Sequence, residues 1–465
     1  MNHPSDPESH GALHRTLGLW PAMTIVIGTI IGSGIFLVPA SMIKAVGSPA
    51  MVFGVWIFGG ILTLFGALSY AELSAAMPDS GGEFVYLGRA YGPLYGFLYG
   101  WTQTVIGVSA SISALGAALV IYLNDFFPGL DRVWLHTTWP IGPEGMPFEI
   151  RIGQLAGMGF ILTLTALNYV STRVGGSVQV AGTFLKMGLI AAIVILGLTS
   201  HVGTIANFGI AYTGNAGQAG SGGVAGFFSA LVAALWAYDG WNNGPIIGGE
   251  IQRPEKNLPR ALIGGTLIVM ATYLLTNLAY FYVLSGPEVA ASGRVATATM
   301  RKVLGDSGGS VVSVAAIISI FAGLNGMILS GARLPFAMAQ KGQFFGFARR
   351  INTNFGTPSG ALLFIGLCSS VLLLSGRFED LARMVIFSEW IFYAMTAFAV
   401  IALRRSQPNM ARPYRVLGYP LVPFLFVLVA IGLLCSTLWA YPRESGLGLA
   451  LIAAGLPFYY HWQKR

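Results

Sequence analysis

Gly28-Thr29-Ile30-Ile31-Gly32-Ser33-Gly34-Ile35-Phe36 lies inside the first long apolar stretch of the chain, and it decides the fold. Its centre, Gly32 to Gly34, is made of poor helix formers, because a glycine costs about 1 kcal/mol relative to alanine in a helix interior. In lipid, unpaired backbone is tolerated only where it is buried in protein or lines a cavity. The stretch therefore predicts a membrane helix that is broken at its centre.

A break at this position brings two helix ends of opposite polarity together. The positive end of the second half, near Ile35, and the negative end of the first half, near Ile30, face the same point. Free N–H groups suit a carboxylate and free C=O groups suit an ammonium, so the pair fits a zwitterion. The alternative is a packing face of small residues, Gly28 and Gly32, for a neighbouring helix. This stretch alone leaves both interpretations open.

The composition is that of a protein with many membrane spans. Of 465 residues, 54% are hydrophobic and 9% are charged, and the mean hydropathy is +0.68, whereas a soluble domain carries about 25% charged residues. The net charge of +8 is interpreted as a topology signal, so no nucleic-acid partner is expected. Cys368 and Cys435 both lie in apolar segments and do not indicate a disulfide framework.

Apolar runs long enough to span a bilayer number twelve. They fall near 17–46, 49–77, 93–123, 152–170, 177–200, 224–248, 260–284, 310–338, 359–375, 383–403, 420–441 and 446–463. An even number puts both termini on one side. With the polar tail 1–16 inside, 15 of the 26 Lys and Arg residues fall on the cytoplasmic side and 9 outside, so we expect both termini in the cytoplasm.

Two connecting segments are expected to be helical. The segment 78–92 is too polar to span and too aromatic for a free loop, so an interfacial helix is predicted there. A short surface helix is predicted after Pro287, within 286–307. The segment 124–151 is predicted to be a long outside loop, and 201–223 a flexible one.

The sixth apolar segment is interrupted as well. It reads Trp236-Ala237-Tyr238-Asp239-Gly240-Trp241-Asn242-Asn243-Gly244-Pro245, and a proline alone costs about 3 kcal/mol in a helix interior. The two interrupted segments are five segments apart. Interruptions at matching positions of two halves mark the binding site of transporters built as inverted repeats. The second break therefore favours a binding site over simple helix packing.

At these residues the chain resembles the amino acid–polyamine–organocation superfamily, and most closely its L-type amino acid transporter branch. The resemblance is carried by Ile31-Gly32-Ser33-Gly34-Ile35-Phe36, Trp236-Ala237-Tyr238-Asp239-Gly240-Trp241, Gly249-Glu250-Ile251 with Pro254-Glu255-Lys256-Asn257-Leu258-Pro259-Arg260-Ala261, and Asn325-Gly326 with Ser330-Gly331-Ala332-Arg333. It implies an all-α membrane fold of 12 helices with a leucine-transporter-like 5+5 inverted repeat. The first repeat would cover 17–200 and the second 224–403, with two further helices in 420–463.

The resemblance also implies a substrate site. The N–H groups of Gly32, Ser33 and Gly34 would hold the carboxylate of an amino acid. The carbonyls of Ile30, Trp236, Ala237 and Asp239 would hold its amine, with Gly240 in the same break and Asn325 as a further polar contact. Tyr238 or Trp241 would be an aromatic gate, although an ordinary core aromatic is an equal alternative for each.

Lys186 lies within the fifth apolar segment, where a buried lysine costs at least ~3 kcal/mol. Snorkelling is the structural alternative. The resemblance implies that its ammonium replaces the sodium ion of related sodium-coupled transporters, and hence sodium independence. Burial also allows such a lysine to carry a proton, so a fixed and a titrating charge both remain open.

Several acidic residues are further candidates. Asp239 is either a cap on the broken helix or a partner for a cationic substrate. Glu72, Glu250 and Arg333 are predicted to form an inner gate of ion pairs. Glu389 departs from the family pattern and leaves the role of the tenth helix open.

The sequence lacks a P-loop and a His-Glu-x-x-His motif, so no enzyme, cofactor or metal site is expected. The loop 124–151 contains no cysteine, so no disulfide-linked partner subunit is expected, and the chain resembles a stand-alone bacterial carrier of the inner membrane. We predict a sodium-independent exchanger of mainly neutral amino acids in contact with membrane lipid. Proton-coupled symport and transport of cationic amino acids are the alternatives, followed by a sensor that does not transport.

Overall fold

The computed structural model describes residues 17–78, 82–139, 146–170, 172–214, 222–246, 251–355, 357–375 and 378–463. In those ranges the protein is almost entirely helical, as predicted. The helices are α1 (Leu19–Ile30), α2 (Gly34–Val46), α3 (Pro49–Ala76), α4 (Glu83–Tyr91), α5 (Pro93–Thr102), α6 (Ser109–Leu123), α7 (Ile152–Val170), α8 (Thr172–Leu198), α9 (Gly223–Tyr238), α10 (Asn243–Ile246), α11 (Pro254–Val283), α12 (Gly286–Ala291), α13 (Val295–Gly331), α14 (Arg333–Gln340), α15 (Ser359–Ser375), α16 (Phe378–Ser406), α17 (Leu421–Ala440), α18 (Pro442–Ala453) and α19 (Gly455–Gln463).

Three shorter helical turns and one hairpin complete the described elements. A π-helical turn, Gln103–Val108, joins α5 to α6, and 3-10 turns cover Ile205–Gly209 and Gly346–Arg349. Strands β1 (Val133–Trp139) and β2 (Met146–Arg151) pair antiparallel, with Val133 opposite Arg151. The hairpin lies in the segment for which the sequence analysis predicted only a loop. Cross-strand hydrogen bonds stabilise it there.

Eight helical segments of the described chain are long and apolar enough to cross a membrane, or nine when α1 and α2 count as one bent span. The buried fraction distinguishes central spans from peripheral ones. In the most apolar part of α16 78% is buried, whereas in that of α17 only 28% is buried. The central position of α16 brings it against both α3 and α9. Such low burial of α17 is expected for a helix that faces lipid.

Both predicted interruptions are present. The axes of α1 and α2 differ by 45°, across residues 31–33. The second interruption lies where α9 ends at Tyr238 and α10 begins at Asn243. Short helices occur in both segments for which they were predicted, α4 within 78–92 and α12 at Gly286–Ala291, although α12 begins one residue before Pro287 and is partly buried. The N-terminal tail lies outside the described residues.

Candidate functional site

The two breaks meet in the structure. A Cβ atom built on Gly34 would lie 2.7 Å from Cα of Ala237, so α2 and α9 touch backbone to backbone there. Gly240 has φ +96°, a left-handed conformation suited to glycine, and a Cβ there would lie 2.7 Å from the Thr29 carbonyl oxygen. The hydroxyl of Thr29 lies 3.0 Å from the Gly240 carbonyl oxygen and also within hydrogen-bond distance of the Ile25 and Val26 carbonyls of its own helix. The two broken helices therefore form one site, and side chains larger than hydrogen would separate them.

The beginning of α2 has the chemistry of an anion site. Ser33 precedes the helix with φ −72° and ψ −18°, and its side chain does not cap the helix. Its hydroxyl is buried and has no hydrogen-bond partner among the described residues. The first N–H groups of a helix lack partners within that helix and carry its positive dipole end. The N–H groups at this end of α2 are therefore chemically suited to a carboxylate.

The ends of α1 and α9 present carbonyl groups, and a tyrosine of α11 reaches both. The Tyr273 hydroxyl lies 2.7 Å from the Ala237 oxygen and 3.1 Å from the Ile30 oxygen. A hydroxyl has one proton, so it donates to one of them at a time. The Trp236 carbonyl accepts from the Asp239 N–H at 3.3 Å. A carbonyl oxygen has two lone pairs, which leaves each of these groups one more position for an ammonium.

Lys186 binds the first break directly. Its ammonium donates to the Gly28 carbonyl at 2.5 Å and to the Ile31 carbonyl at 2.6 Å, and 5% of the residue is exposed. These carbonyls belong to the last turn of α1 and the residue after it, where helix carbonyls lack intrahelical partners. The lysine thus neutralises the negative end of α1. Its side chain is held in place, which argues against snorkelling.

The predicted aromatic residues are packed in the core. The Tyr238 hydroxyl donates to the Trp56 carbonyl at 3.1 Å, and its ring lies 5.2 Å from that of Tyr273. The Trp241 ring contacts Tyr70 at 4.5 Å and Tyr393 at 5.3 Å between centroids. Trp236 is half-buried, with its ring edge-on to Phe378. Each ring therefore packs against other aromatic rings in this conformation.

Asn325 lies in α13, away from the two breaks in sequence. The amide of Asn168 in α7 donates to its Oδ1 at 2.8 Å, and both residues are fully buried. This contact joins α7 to α13. It places the Asn325 side chain at a helix–helix contact, which the sequence did not predict.

Asp239 contacts a residue that the sequence analysis missed. Its Oδ1 accepts a hydrogen bond from the Tyr393 hydroxyl at 2.9 Å, and the same hydroxyl lies 3.0 Å from Oε2 of Glu389. The side chain of Asp239 is thus turned toward α16. Tyr393 and Tyr273 lie in apolar segments, where a tyrosine looks like any core aromatic residue, so no local signal identified them.

Glu83 is a second acid joined to the break between α9 and α10. The amide of Asn242 donates to its Oε1 at 2.8 Å, and the side chain of Glu83 is fully buried. Burial raises the pKa of Glu83 to about 7. The helix α4 therefore buries Glu83 together with Tyr86 and Leu87 against the core.

The predicted inner ion pairs are partly wrong. Glu72 pairs with Arg404, whose Nε and Nη2 donate to its two oxygens at 2.8 and 2.6 Å, and the Val416 N–H donates to Oε2 at 2.7 Å. Arg333 is exposed and forms no ion pair with any described residue. Glu250 lies outside the described residues. The fork of an arginine matches a carboxylate in two bonds, and α16 carries Arg404 to the end of α3 where Glu72 lies.

The sequence matches proteins of one kind along almost its whole length. Residues 17–456 match the family model described as amino acid permease. The serine/threonine exchanger SteT of Bacillus subtilis is 37% identical over 460 residues, which cover 97% of this chain and 98% of that protein. The mouse b(0,+)-type amino acid transporter 1 is 31% identical, covering 97% of this chain and 88% of the relative. The mouse large neutral amino acids transporter small subunit 2 is 31% identical, covering 100% and 86%.

Proposed function

Because the chain belongs to the amino acid permease family, we propose that it is a sodium-independent exchanger of mainly neutral amino acids that works by alternating access. The predicted relation to L-type transporters is confirmed by relatives of that type along most of the chain. The protein is a multi-pass membrane transporter and not an enzyme. Exchange is the activity named for the Bacillus subtilis relative.

The observation that carries the proposal is the contact of Gly34 with Ala237 at the meeting point of two broken helices. The N–H groups at Gly32, Ser33 and Gly34 bind the substrate carboxylate, and the unpartnered Ser33 hydroxyl supports this role. The carbonyls of Ile30, Trp236, Ala237 and Asp239 bind the amine. Gly240 keeps the second break close to α1.

For the whole chain, the proposed architecture is 12 membrane helices with a 5+5 inverted repeat, 17–200 and 224–403, followed by 420–463. The bent pair α1 and α2 and the interrupted pair α9 and α10 support this proposal. The polar tail 1–16 and the C-terminus lie in the cytoplasm, and the chain lies in an inner membrane. The excess of Lys and Arg in the segments assigned to the inside supports this orientation.

Lys186 replaces a coupling cation in this proposal. Its hydrogen bonds to the Gly28 and Ile31 carbonyls put a positive charge at the end of α1 without a bound ion. A fixed ammonium supplies the charge that a sodium ion supplies elsewhere, so transport does not need sodium. The rival, proton-coupled uptake through Lys186 itself, predicts that Lys186 releases its proton in each cycle.

Selectivity for neutral substrates follows from the side chains near the breaks. Ala237, Tyr238 and Trp241 are buried and offer apolar surface. Asp239, the one acid in the break, is hydrogen-bonded to Tyr393. A small neutral amino acid therefore meets no unpaired charge there. The name of the Bacillus subtilis relative, a serine/threonine exchanger, supports small neutral substrates.

The proposed partners are an amino acid and membrane lipid, without a disulfide-linked subunit. Of the two cysteines, Cys435 is exposed and lies in α17, and Cys368 lies in α15. Both lie in apolar helices and not in the segment 124–151, which supports this proposal.

The test is exchange by the purified protein in proteoliposomes. Uptake of labelled serine is measured with and without internal serine, with sodium present or replaced, and across a panel of amino acids. We expect uptake only into vesicles loaded with an amino acid, independent of sodium. Equal uptake into empty vesicles would exclude obligatory exchange, and binding without any uptake would favour the sensor.

A further inference from the structure

A buried carboxyl group on α16 faces the break between α9 and α10. Glu389 is 5% exposed, and Tyr393, one helical turn later, is 1% exposed. The Tyr393 hydroxyl oxygen lies 2.9 Å from Oδ1 of Asp239 and 3.0 Å from Oε2 of Glu389. Both distances are those of hydrogen bonds.

The number of protons available at this contact limits the charge that the two carboxyl groups can carry. A tyrosine hydroxyl has one proton and donates to one acceptor, while an ionised carboxylate has no proton to donate. If both acids were ionised, one of the two contacts would join two oxygen atoms with no proton between them. A second proton on one of the carboxyl groups removes that conflict.

The surroundings supply no cation in place of that proton. Within the described part of the chain, no lysine or arginine forms an ion pair with Asp239 or Glu389. Gln103, in the π-helical turn, lies beside Glu389, and the ends of both side chains fill the space that a Cβ at Gly107 would need. This neighbour is a neutral amide.

The groups that face this pair from the other packed helices are neutral tyrosines and one further acid. They are Tyr70 of α3, Glu83 of α4 and Tyr99 of α5. On α18 the charged Arg443 and Glu444 lie in the first turn, about one turn before Gly448, which contacts Ser388. On the described parts of α6 and α17 no charged side chain occurs.

A further buried acid, Glu83, lies beside this group of residues and is incompletely hydrogen-bonded. Oε2 of Glu83 and the hydroxyl of Tyr70 are fully buried, and neither has a hydrogen-bond partner of good geometry among the described residues. Tyr70 packs its ring against Tyr393, at 6.3 Å between centroids. Burying a carboxylate oxygen without a hydrogen-bond partner costs free energy, and a proton on that group lowers this cost.

We propose that Asp239, Tyr393 and Glu389 form a proton-binding site, which holds one proton when the transporter is empty. In this state the carboxyl of Glu389 donates to the Tyr393 oxygen, and the Tyr393 hydroxyl donates to the Asp239 carboxylate. One proton is on Glu389, one on Tyr393 and none on Asp239. The three groups together carry a single negative charge.

A bound amino acid changes this balance, and this step rests on the proposed function. The substrate ammonium, held by the carbonyls of the same break, brings a positive charge close to Asp239. A nearby positive charge favours the ionised form of a carboxyl group. The site then releases its proton to water, both carboxyl groups become ionised, and the Tyr393 hydroxyl donates to only one of them. Substrate binding and proton binding are therefore antagonistic, so the apparent affinity falls as the pH is lowered.

The presence of the bound proton is tested without substrate, by infrared spectroscopy of the purified protein. The pH is varied between about 5 and about 9, a range in which buried carboxyl groups titrate. Wild type and variants are compared in a Glu83→Gln background, which removes the neighbouring acid. We expect a protonated-carboxyl signal that disappears at high pH and is missing in Glu389→Gln. Glu379→Gln, which removes an exposed acid of the same helix, should keep the signal. A spectrum without this signal, or one unchanged by Glu389→Gln, would overturn the proton site.

The coupling is tested by adding serine to the protein in weakly buffered detergent solution with a pH indicator. We expect release of up to about one proton per bound serine, and an apparent affinity that changes up to about tenfold per pH unit. Glu389→Gln should bind serine without releasing a proton. Serine binding without proton release in the wild type would overturn the coupling. A wild type that binds no amino acid would instead contradict the proposed function, since the infrared signal does not need a substrate.

Discussion

The Tyr273 hydroxyl hydrogen-bonds the Ala237 carbonyl at 2.7 Å, and this contact holds the end of α9 against α11. The same hydroxyl is 3.1 Å from the Ile30 carbonyl at the end of α1. One side chain therefore touches the last turn of both broken helices. It lies where the substrate amine is proposed to bind, so it keeps these carbonyls oriented in the empty site.

Tyr273→Phe removes this hydroxyl and keeps the ring. A hydrogen bond contributes about 1 kcal/mol, so we expect exchange to slow about fivefold. The matched control is Tyr280→Phe on the same helix, since the Tyr280 hydroxyl is buried without a hydrogen-bond partner among the described residues. Serine exchange and thermal stability are measured for both variants. Equal rates in the two would contradict the role given to Tyr273.

Gly34→Ala should weaken substrate binding. The new Cβ would lie 2.7 Å from both Cα and Cβ of Ala237, and relief of such overpacking costs about 1–3 kcal/mol. We expect α2 and α9 to separate and serine affinity to fall at least about fivefold. Gly54→Ala is the control, because nothing lies within 4 Å of a Cβ at that position. A well-folded Gly34→Ala protein with unchanged affinity would remove the site assignment.

Lys186→Met should nearly abolish exchange, because it leaves the Gly28 and Ile31 carbonyls without their donor. An unpaired buried group costs about 1–3 kcal/mol, which for two groups corresponds to a loss of more than about tenfold. Lys44→Met, an exposed position at the end of α2, should transport normally. The wild type should be indifferent to sodium. Full activity of Lys186→Met, or a sodium requirement, would show that the lysine does not replace a cation.

Local chemistry explains which parts of the structure were predictable. Three small residues in succession at the centre of an apolar run, and an Asp-Gly pair followed by Gly-Pro, are poor helix formers, so both breaks could be predicted from the sequence. The conformation Gly240 adopts, with φ +96°, is one that glycine is chosen for. These signals needed no knowledge of the neighbouring helices.

The contacts between distant helices were not predictable. Glu72 and Arg404 are 332 positions apart, and nothing near either residue distinguishes Arg404 from Arg333 as the partner. Tyr273 looks like a core aromatic, because its hydroxyl partners lie on other helices. Tyr393 does too, because Asp239, its partner outside α16, is 154 positions away. Glu389 departs from the family pattern in the sequence. Its proposed role in proton binding, however, depends on Asp239, which lies across the contact between α9 and α16.

Glu83 should make the protein less stable as the pH rises. Its pKa is raised to about 7 from 4.5 by burial, so the folded state keeps a proton that the unfolded state has lost. The stabilising effect is full below the unfolded value, and it is lost between these two values as the pH increases. The shift corresponds to about 3 kcal/mol. We expect Glu83→Gln to be the more thermostable protein at pH 8 and to lose less stability between pH 5 and pH 8 than wild type. An identical pH dependence in both proteins would contradict a pKa of Glu83 that is raised by burial.

Selectivity should depend on Asp239 only weakly, because its side chain is engaged by Tyr393 at 2.9 Å and not by a substrate. Competition by serine, alanine, leucine and arginine against labelled serine is measured on wild type and Asp239→Asn. We expect serine and alanine to compete best, and the ratio of arginine to serine affinity to change less than about threefold in the variant. The ratio is the informative quantity, since a change at the proton site alters the affinity for all substrates together.

If Asp239 instead turned into the site, a guanidinium would pair with it, and in a partly dry site that attraction exceeds what a surface pair gains. Arginine would then be the strongest competitor in the wild type and lose its advantage in Asp239→Asn, and the assignment of neutral substrates would be wrong.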